Sequence, residues 1–191
     1  MNLKFPLFLA PDLNWFKSIE SAQTIEISYR FKFNQQSEYN RIVFAGPHGK
    51  QQFSIPLVAE SKKGDFSEVL ISYQENWHNQ LINALRTAYG KSPFYEFYDY
   101  KLEPIIRSKE PFLAKFNLKI MEFLLEAFKL NVSIRLVEGE PDMISRTAEM
   151  SYYQVFSGLN GFIPNLSALD FLFNVGWDMY GDELDYKQIT K

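Results

Sequence analysis

Two stretches near the N-terminus determine the fold class that this sequence predicts: Phe5-Pro6-Leu7-Phe8-Leu9 and Thr24-Ile25-Glu26-Ile27-Ser28-Tyr29. The first is apolar and predicts a buried strand, and the second alternates with the period of two that is typical of a half-buried strand. Between them, Asp12 is an expected helix N-cap, which predicts a short helix through Ser21. A strand-helix-strand unit normally has parallel strands. The N-terminus therefore predicts an α/β or α+β protein.

The sequence beyond this unit predicts a hairpin and then helices. Two apolar runs, residues 41–45 and 52–57, flank a turn rich in Gly and Pro, which is typical of a β-hairpin. Residues 69–73 and 132–136 predict two more strands. Apolar residues at helical spacing predict three helices, which begin near Asn76, Ser92 and Pro111. Pro104 is expected to break or kink the second of these helices.

Length and composition favour a single domain that spans residues 1–191. A chain of 191 residues is close to the usual size of a single domain, and a hydrophobic share of 46% is enough to bury a sizeable core. We expect a mixed sheet from the N-terminal half with helices packed on it. The C-terminal segment is expected to return to the edge of that sheet.

Charge and hydropathy exclude two classes of partner. The formal net charge of −3 and the absence of a basic cluster argue against a nucleic-acid-binding protein. No run approaches the roughly 18 consecutive apolar residues that a membrane-spanning helix needs. The apolar stretch at residues 5–10 is interrupted by Pro6 and followed by Asp12, which is unlike a signal peptide. These features predict a soluble, cytoplasmic protein.

The residue types limit the chemistry. The chain has no cysteine and only two histidines, His48 and His78, so a transition-metal centre is not expected. A magnesium site made of carboxylates stays open, because hard cations need only oxygen ligands. The turn at residues 46–50 lacks the Gly-Lys-Ser/Thr order of a phosphate loop and is interpreted as a hairpin turn. No cofactor is predicted.

The C-terminal part carries two runs, Ser151-Tyr152-Tyr153-Gln154-Val155-Phe156 and Phe162-Ile163-Pro164-Asn165-Leu166-Ser167-Ala168-Leu169-Asp170-Phe171-Leu172-Phe173-Asn174-Val175-Gly176. Upstream segments precede them in order: Leu9-Ala10-Pro11 with Trp15-Phe16, Gln36-Ser37 with Asn40-Arg41, and Trp77 with Ala88-Tyr89 and Ser92-Pro93-Phe94. Together these segments resemble the WbqC-like family of bacterial proteins, which is associated with cell-surface polysaccharide and O-antigen gene sets. The resemblance covers nearly the whole chain.

Two residue pairs within these segments are the main candidates for ligand binding, Asn40 with Arg41 and Tyr153 with Gln154. The planar guanidinium of Arg41 suits a carboxylate or a phosphate, and the amides of Asn40 and Gln154 suit hydroxyl groups. We expect the two pairs to meet in one pocket. An internal salt bridge at Arg41 is an equal alternative.

Further candidates in the matched segments are Gln36, Trp77, Gln80, Tyr89 and Asp170. Each also has a structural interpretation. Trp77 and Tyr89 fit a hydrophobic core, while Ser167 and Asp170 have the spacing of a capping box, in which both side chains bond to the start of a helix.

Two functions stay open. The resemblance implies a transferase of surface-polysaccharide biosynthesis that acts on a sugar or a nucleotide-linked sugar. The alternative is a non-catalytic ligand-binding or assembly protein of the same pathway. Members of the family place a histidine about one turn after the helix tryptophan, where this chain has Gln80, and His78 faces nearly the opposite side of a helix. That departure favours the alternative.

Overall fold

Three parallel strands form the principal sheet. The structure, a computed structural model, describes residues 3–34, 38–143 and 151–177. Strands β1 (Lys4–Pro6), β2 (Thr24–Arg30) and β5 (Ser133–Glu138) lie in the order β1-β2-β5. Helix α1 (Leu13–Ile19) connects β1 to β2 and begins at Asp12, whose carboxylate accepts a hydrogen bond from the Trp15 N–H. The predicted strand-helix-strand unit with parallel strands is confirmed.

The hairpin forms a separate antiparallel sheet. Strand β3 (Arg41–Gly46) pairs with β4 (Gly49–Ser54), and Gly49 has the positive φ of +100° that the tight turn requires. The second strand begins earlier than the sequence predicts. Parallel and antiparallel pairing therefore both occur, but in different sheets, and the predicted α/β class is confirmed.

Residues 69–73 do not form the predicted strand. On one side, the Val58 N–H donates to the Leu70 carbonyl and the Ser72 N–H donates to the Pro56 carbonyl. On the other side, the segment forms two similar hydrogen bonds with Pro111 and Leu113. The segment's backbone groups are thus satisfied by two different neighbours, and no continuous ladder forms with either.

Three long helices cover the core. They are α2 (Trp77–Tyr89), α3 (Tyr95–Ile106) and α4 (Leu113–Ala127). Pro104 lies inside α3, but the helix ends only two residues later, close to the predicted break. Helix α4 buries nine residues, which fits the predicted core-crossing helix. In the described part of the chain, no helix has both the length and the apolar character needed to cross a membrane.

The C-terminal segment is predicted to return to the edge of the sheet, and it contacts the two-stranded sheet of the hairpin. It contains the short helices α5 (Ser157–Asn160) and α6 (Ala168–Val175). The Ser167 N–H donates to the Val43 carbonyl, and the Asn160 amide donates to the Gly46 carbonyl. The N–H of Ala168 donates to the Pro11 carbonyl, so this segment also contacts the loop that follows β1.

One buried amide joins α4 to the N-terminal part of the chain. Asn117 is fully buried, and its Nδ2 donates to the carbonyl oxygens of Leu7 at 3.0 Å and Tyr39 at 2.7 Å. Leu7 follows β1, and Tyr39 lies in a 3-10 turn just before β3. Because buried carbonyl groups need donors, Asn117 fixes the position of both segments.

We expect Asn117→Ala to lower the free energy of unfolding by about 2–4 kcal/mol, because two buried carbonyl groups lose their donor. Asn83→Ala is the matched control, since Asn83 is exposed on α2, and it should change stability by less than about 0.5 kcal/mol. Urea unfolding measures both. Equal effects from the two variants would contradict the role assigned to Asn117.

Candidate functional site

A cleft lies at the carboxyl ends of all three parallel strands. It has a volume of about 390 Å³. Phe8 follows β1, Phe31 and Lys32 follow β2, and residues 140–143 follow β5, and all of these line the cleft. Open α/β sheets bind their ligands in the crevice outside the carboxyl ends of the strands. We call this feature the strand-end cleft.

Aromatic rings form one wall of the strand-end cleft. The ring of Tyr39 lies 5.1 Å from that of Phe8 and 5.3 Å from that of Phe31, measured between centroids. Trp15 also lines the cleft, and its indole N–H donates to the Pro6 carbonyl. Flat apolar faces beside polar groups suit the faces of sugar rings.

Acidic side chains dominate the polar part of the lining. Among the described residues of the lining, Asp12, Glu38, Glu140 and Asp142 contribute four carboxylates and Lys32 contributes one ammonium group, a formal charge of −3. Burial, followed by the nearby charge of Glu140, raises the pKa of Tyr39 well above its usual range. That phenol therefore stays protonated at physiological pH.

The wall after β5 is held by backbone hydrogen bonds. The Gly139 N–H donates to the Arg30 carbonyl, and the Ser28 hydroxyl donates to the Gly139 carbonyl. The Lys4 N–H donates to the Asp142 carboxylate at 2.7 Å, and the Asp142 N–H donates back to the Lys4 carbonyl. Gly139 has a φ of +107°, a conformation that glycine adopts without strain. The cleft is thus preformed on this side.

Arg41 lies in a narrow cleft beside the strand-end cleft. Asp12 and Glu38 line both clefts, and Ser167 lines the narrow one. The Arg41 Nε is buried and donates to no acceptor in residues 3–34, 38–143 or 151–177, and no ion pair joins Arg41 to a residue in those ranges. Asn40 has a structural contact, because its Nδ2 donates to the Ile55 carbonyl at 2.9 Å.

Gln154, Tyr89 and Asp170 come together in a second place. The Asp170 carboxylate accepts three side-chain hydrogen bonds. Their donors are the Tyr89 hydroxyl at 2.7 Å, the Tyr152 hydroxyl at 2.8 Å and the Gln154 Nε2 at 3.1 Å. Gln154 also exchanges two hydrogen bonds with the backbone of Ile163. We call Asp170 and these three donors the Asp170 network. Asp170, Tyr89 and Gln154 are each at most 1% exposed.

The capping-box interpretation is correct for Ser167 only. Its hydroxyl accepts from the Leu169 N–H at the start of α6. The Asp170 carboxylate bonds instead to the donors of its network. The sequence analysis also missed Tyr152, because nothing in a run of two tyrosines shows which hydroxyl faces the core.

The two candidate pairs therefore lie in different surroundings. Arg41 faces the narrow cleft, whereas the side chain of Gln154 is enclosed by the Asp170 network. Tyr153 is half-buried and also contacts other residues. Their shared role in binding a ligand stays a prediction.

The remaining candidates do not line the strand-end cleft. Trp77 is 1% exposed and packs against the rings of Tyr73 and Phe116, as a core residue does. Gln80 is exposed on α2. Gln36 lies outside the described residues. Across the ranges that the structure describes, no group of three or more His, Asp or Glu side chains is arranged to hold a metal ion.

The sequence analysis missed most of the strand-end cleft. Phe31 and Glu140 follow β2 and β5, which are neighbours in the sheet although about 100 residues separate them along the chain. The position of each residue just after a predicted strand is the available signal. It becomes useful only once the order of the strands is known.

Fold and cleft define a small α/β protein with a ligand-sized site at the carboxyl ends of its parallel strands. The model of the WbqC-like protein family matches residues 6–142. The chain therefore belongs to the WbqC-like family. The C-terminal runs of the sequence resemblance lie beyond the matched range. No curated protein and no solved structure matches the chain.

We expect Arg41→Ala to change the free energy of unfolding by less than about 1 kcal/mol, because Arg41 makes no ion pair within the described ranges. Urea unfolding without ligand measures this effect, and Lys91→Ala, at an exposed position with no ion pair in the described ranges, is the control. A loss of about 3–5 kcal/mol in Arg41→Ala would instead show that Arg41 holds a buried internal pair.

The Asp170 network predicts a specific pH dependence. Burial raises the pKa of Asp170 above its ordinary value of 3.8, although hydrogen bonds from Tyr89, Tyr152 and Gln154 oppose this effect. The folded protein then holds this proton more tightly than the unfolded chain does. The resulting stability is complete below about pH 4 and is lost as the pH rises through the raised pKa.

Asp170→Asn removes this titration. Urea unfolding at pH values between 4 and 8 should show that the free energy of unfolding of wild type minus that of Asp170→Asn is most positive near pH 4 and falls as the pH rises. Glu122→Gln, at an exposed position of α4, is the control and should show no such trend. If wild type instead gains stability relative to Asp170→Asn as the pH rises, the raised pKa is wrong.

Proposed function

We propose that this protein is a transferase of bacterial surface-polysaccharide biosynthesis, of the O-antigen type, acting in the cytoplasm on a sugar or a nucleotide-linked sugar. The strand-end cleft is its binding site in this proposal. The single observation that carries it is the position of an aromatic, carboxylate-lined cleft at the carboxyl ends of the three parallel strands. The pathway part of the proposal rests on membership of the WbqC-like family.

The lining supports sugar binding through two kinds of contact. The rings of Phe8 and Tyr39 offer apolar faces, and Asp12 and Glu140 offer oxygen atoms that accept hydrogen bonds from sugar hydroxyl groups. The volume of about 390 Å³ lies at the lower end of the range for small-molecule sites. A sugar unit therefore fits the cleft in both chemistry and size.

A direct transfer suits these groups. An acceptor hydroxyl or amine in the cleft forms a bond to the transferred group, and the bond from that group to the donor breaks, with its electron pair leaving on the donor. The proton of the acceptor passes to a carboxylate of the cleft, which acts as a general base. In this proposal Arg41 binds the anionic part of a nucleotide-linked donor that reaches it from the strand-end cleft, because the narrow cleft beside Arg41 has a volume of only about 10 Å³.

One observation favours the second candidate, a non-catalytic ligand-binding protein of the same pathway. Gln80, at the position where the family places a histidine, is exposed on α2 and does not line the strand-end cleft. The change from histidine to glutamine therefore favours the non-catalytic candidate only if the reacting groups bind near α2, outside this cleft. Incubation of bound sugar with activated donors separates the two functions, because only a transferase forms a modified sugar.

Thermal unfolding with a panel of sugars and nucleotide-linked sugars tests the site. A ligand that binds only the folded protein raises its stability by mass action. Phe8→Ala removes an aromatic face of the cleft, and we expect it to weaken binding of any stabilising sugar about five- to tenfold.

Phe97→Ala is the matched control, because Phe97 is an exposed ring on α3 that lies outside the cleft. It should leave sugar binding unchanged. If both variants bind sugar as the wild type does, or if no sugar in the panel stabilises the protein, the strand-end cleft is not a sugar site.

A further inference from the structure

We infer that Tyr39 is a specificity-determining residue of the strand-end cleft, whose hydroxyl donates a hydrogen bond to an oxygen of the bound sugar. This inference rests on the proposed function, which needs only that a sugar binds in the cleft. It adds a polar role for a side chain whose ring already forms part of the aromatic wall. The observation behind it is that this hydroxyl has no hydrogen-bond partner within the described part of the chain.

Tyr39 is almost enclosed, yet it reaches the cleft. It is 5% exposed and lines the strand-end cleft. Four rings surround its own ring, at centroid distances of 5.1 Å for Phe8, 5.3 Å for Phe31, 6.2 Å for Phe33 and 4.8 Å for Phe66. Aromatic carbons pack well against such neighbours, but a hydroxyl needs a hydrogen-bond partner. The packing therefore accounts for the ring and leaves the hydroxyl unexplained.

The Tyr39 hydroxyl is an open donor. It forms no hydrogen bond with any residue that the structure describes, whereas the Tyr73 hydroxyl donates to the Glu110 carbonyl at 2.8 Å. Burial, followed by the charge of Glu140, raises the pKa of Tyr39, so the phenol keeps its proton. Buried polar groups normally have partners. A donor left open beside a cleft therefore points to an acceptor that the ligand supplies.

The position of this donor is fixed before a ligand binds. The Asn117 Nδ2 donates to the Tyr39 carbonyl at 2.7 Å, which holds the backbone, and the surrounding rings hold the side chain. A group that is already in place loses little conformational entropy on binding. A fixed polar group also discriminates strongly, because a ligand without the matching atom leaves it unpaired.

Two kinds of sugar oxygen can accept this hydrogen bond, a ring hydroxyl and the carbonyl oxygen of an acylamino substituent. The rings of Phe8 and Tyr39 are 5.1 Å apart, so a sugar ring lying against Phe8 would bring the substituents at its edge within reach of Tyr39. Glu140 lines the same cleft and can accept either the hydroxyl proton or the acylamino N–H. Tyr39 would then bind the oxygen, and Glu140 the hydrogen, of one substituent.

Ligand-observed NMR titrations of the full chain with D-glucose, D-galactose, N-acetyl-D-glucosamine and N-acetyl-D-galactosamine test this assignment. Tyr39→Phe removes the hydroxyl and keeps the ring. We expect it to weaken the binding of these sugars about two- to tenfold, which corresponds to the net contribution of one uncharged hydrogen bond. A loss confined to the two N-acetyl sugars identifies the acyl carbonyl as the acceptor, and a loss shared by D-glucose or D-galactose identifies a hydroxyl.

Tyr98→Phe is the matched control. Tyr98 is 4% exposed, its hydroxyl also has no hydrogen-bond partner among the described residues, and it lies on α3, outside the cleft. Its substitution should leave sugar binding unchanged. Urea unfolding without ligand should show that Tyr39→Phe is at least as stable as the wild type, because the hydroxyl that it removes has no partner to lose. Weaker binding without a loss of stability separates a ligand contact from a structural role.

The outcomes separate this inference from the proposed function. If Phe8→Ala weakens sugar binding and Tyr39→Phe does not, the inference is wrong and the proposed sugar site stands. If Tyr39→Phe lowers stability as well as binding, the hydroxyl has a structural role, and the inference is again wrong while the sugar site stands. If neither variant changes binding, or if none of the four sugars binds, both are wrong.

Discussion

The burial of the Asp170 carboxylate constrains how the C-terminal part of this protein packs. A carboxylate that is 0% exposed is tolerated only if donors surround it, and its donors come from three other parts of the chain. Tyr89 lies at the end of α2, Ala45 contributes its backbone N–H from β3, and Tyr152 and Gln154 precede α5. If any one of these segments moved away, polar groups would lose their partners in the core. The network therefore gives this part of the molecule one packing arrangement instead of several.

Hydrogen bonds to backbone groups hold the walls of the strand-end cleft in place. The Asn117 amide holds the chain after β1 and the turn that carries Tyr39, and the paired backbone groups of Lys4 and Asp142 hold the wall after β5. The backbone polar groups named here are thus used to position the walls. The side chains of Glu140 and Lys32 remain exposed at the cleft, where a ligand can reach them.

The sequence predicts the structure of short segments better than it predicts contacts between segments that are far apart in the chain. The parallel strand-helix-strand unit and the hairpin follow from hydrophobic period and turn residues, which are properties of short segments. The cleft does not, because it requires β5 to pair with β2 across most of the chain, and no short segment encodes that pairing. Residues 69–73 are a case in which the local pattern is misleading. Their apolar pattern predicts a strand, but their backbone hydrogen bonds go to two different neighbours. At Asp170 the spacing predicts a cap, and the core provides stronger donors.

The extent of the family match separates the two polar centres. The matched range runs from Pro6 to Asp142, and both of these residues line the strand-end cleft. Of the three donors in the Asp170 network, Tyr89 lies in that range, whereas Tyr152, Gln154 and Asp170 itself lie beyond it. Asp170, Tyr89 and Gln154 are also buried, with their hydrogen bonds directed at each other and at the backbone. A ligand would have to break that network in order to bind there, whereas the cleft offers exposed charge on a positioned scaffold. Burial and hydrogen bonding therefore assign stability to the Asp170 network, whereas the exposed charges of the strand-end cleft favour it as the place for ligand chemistry.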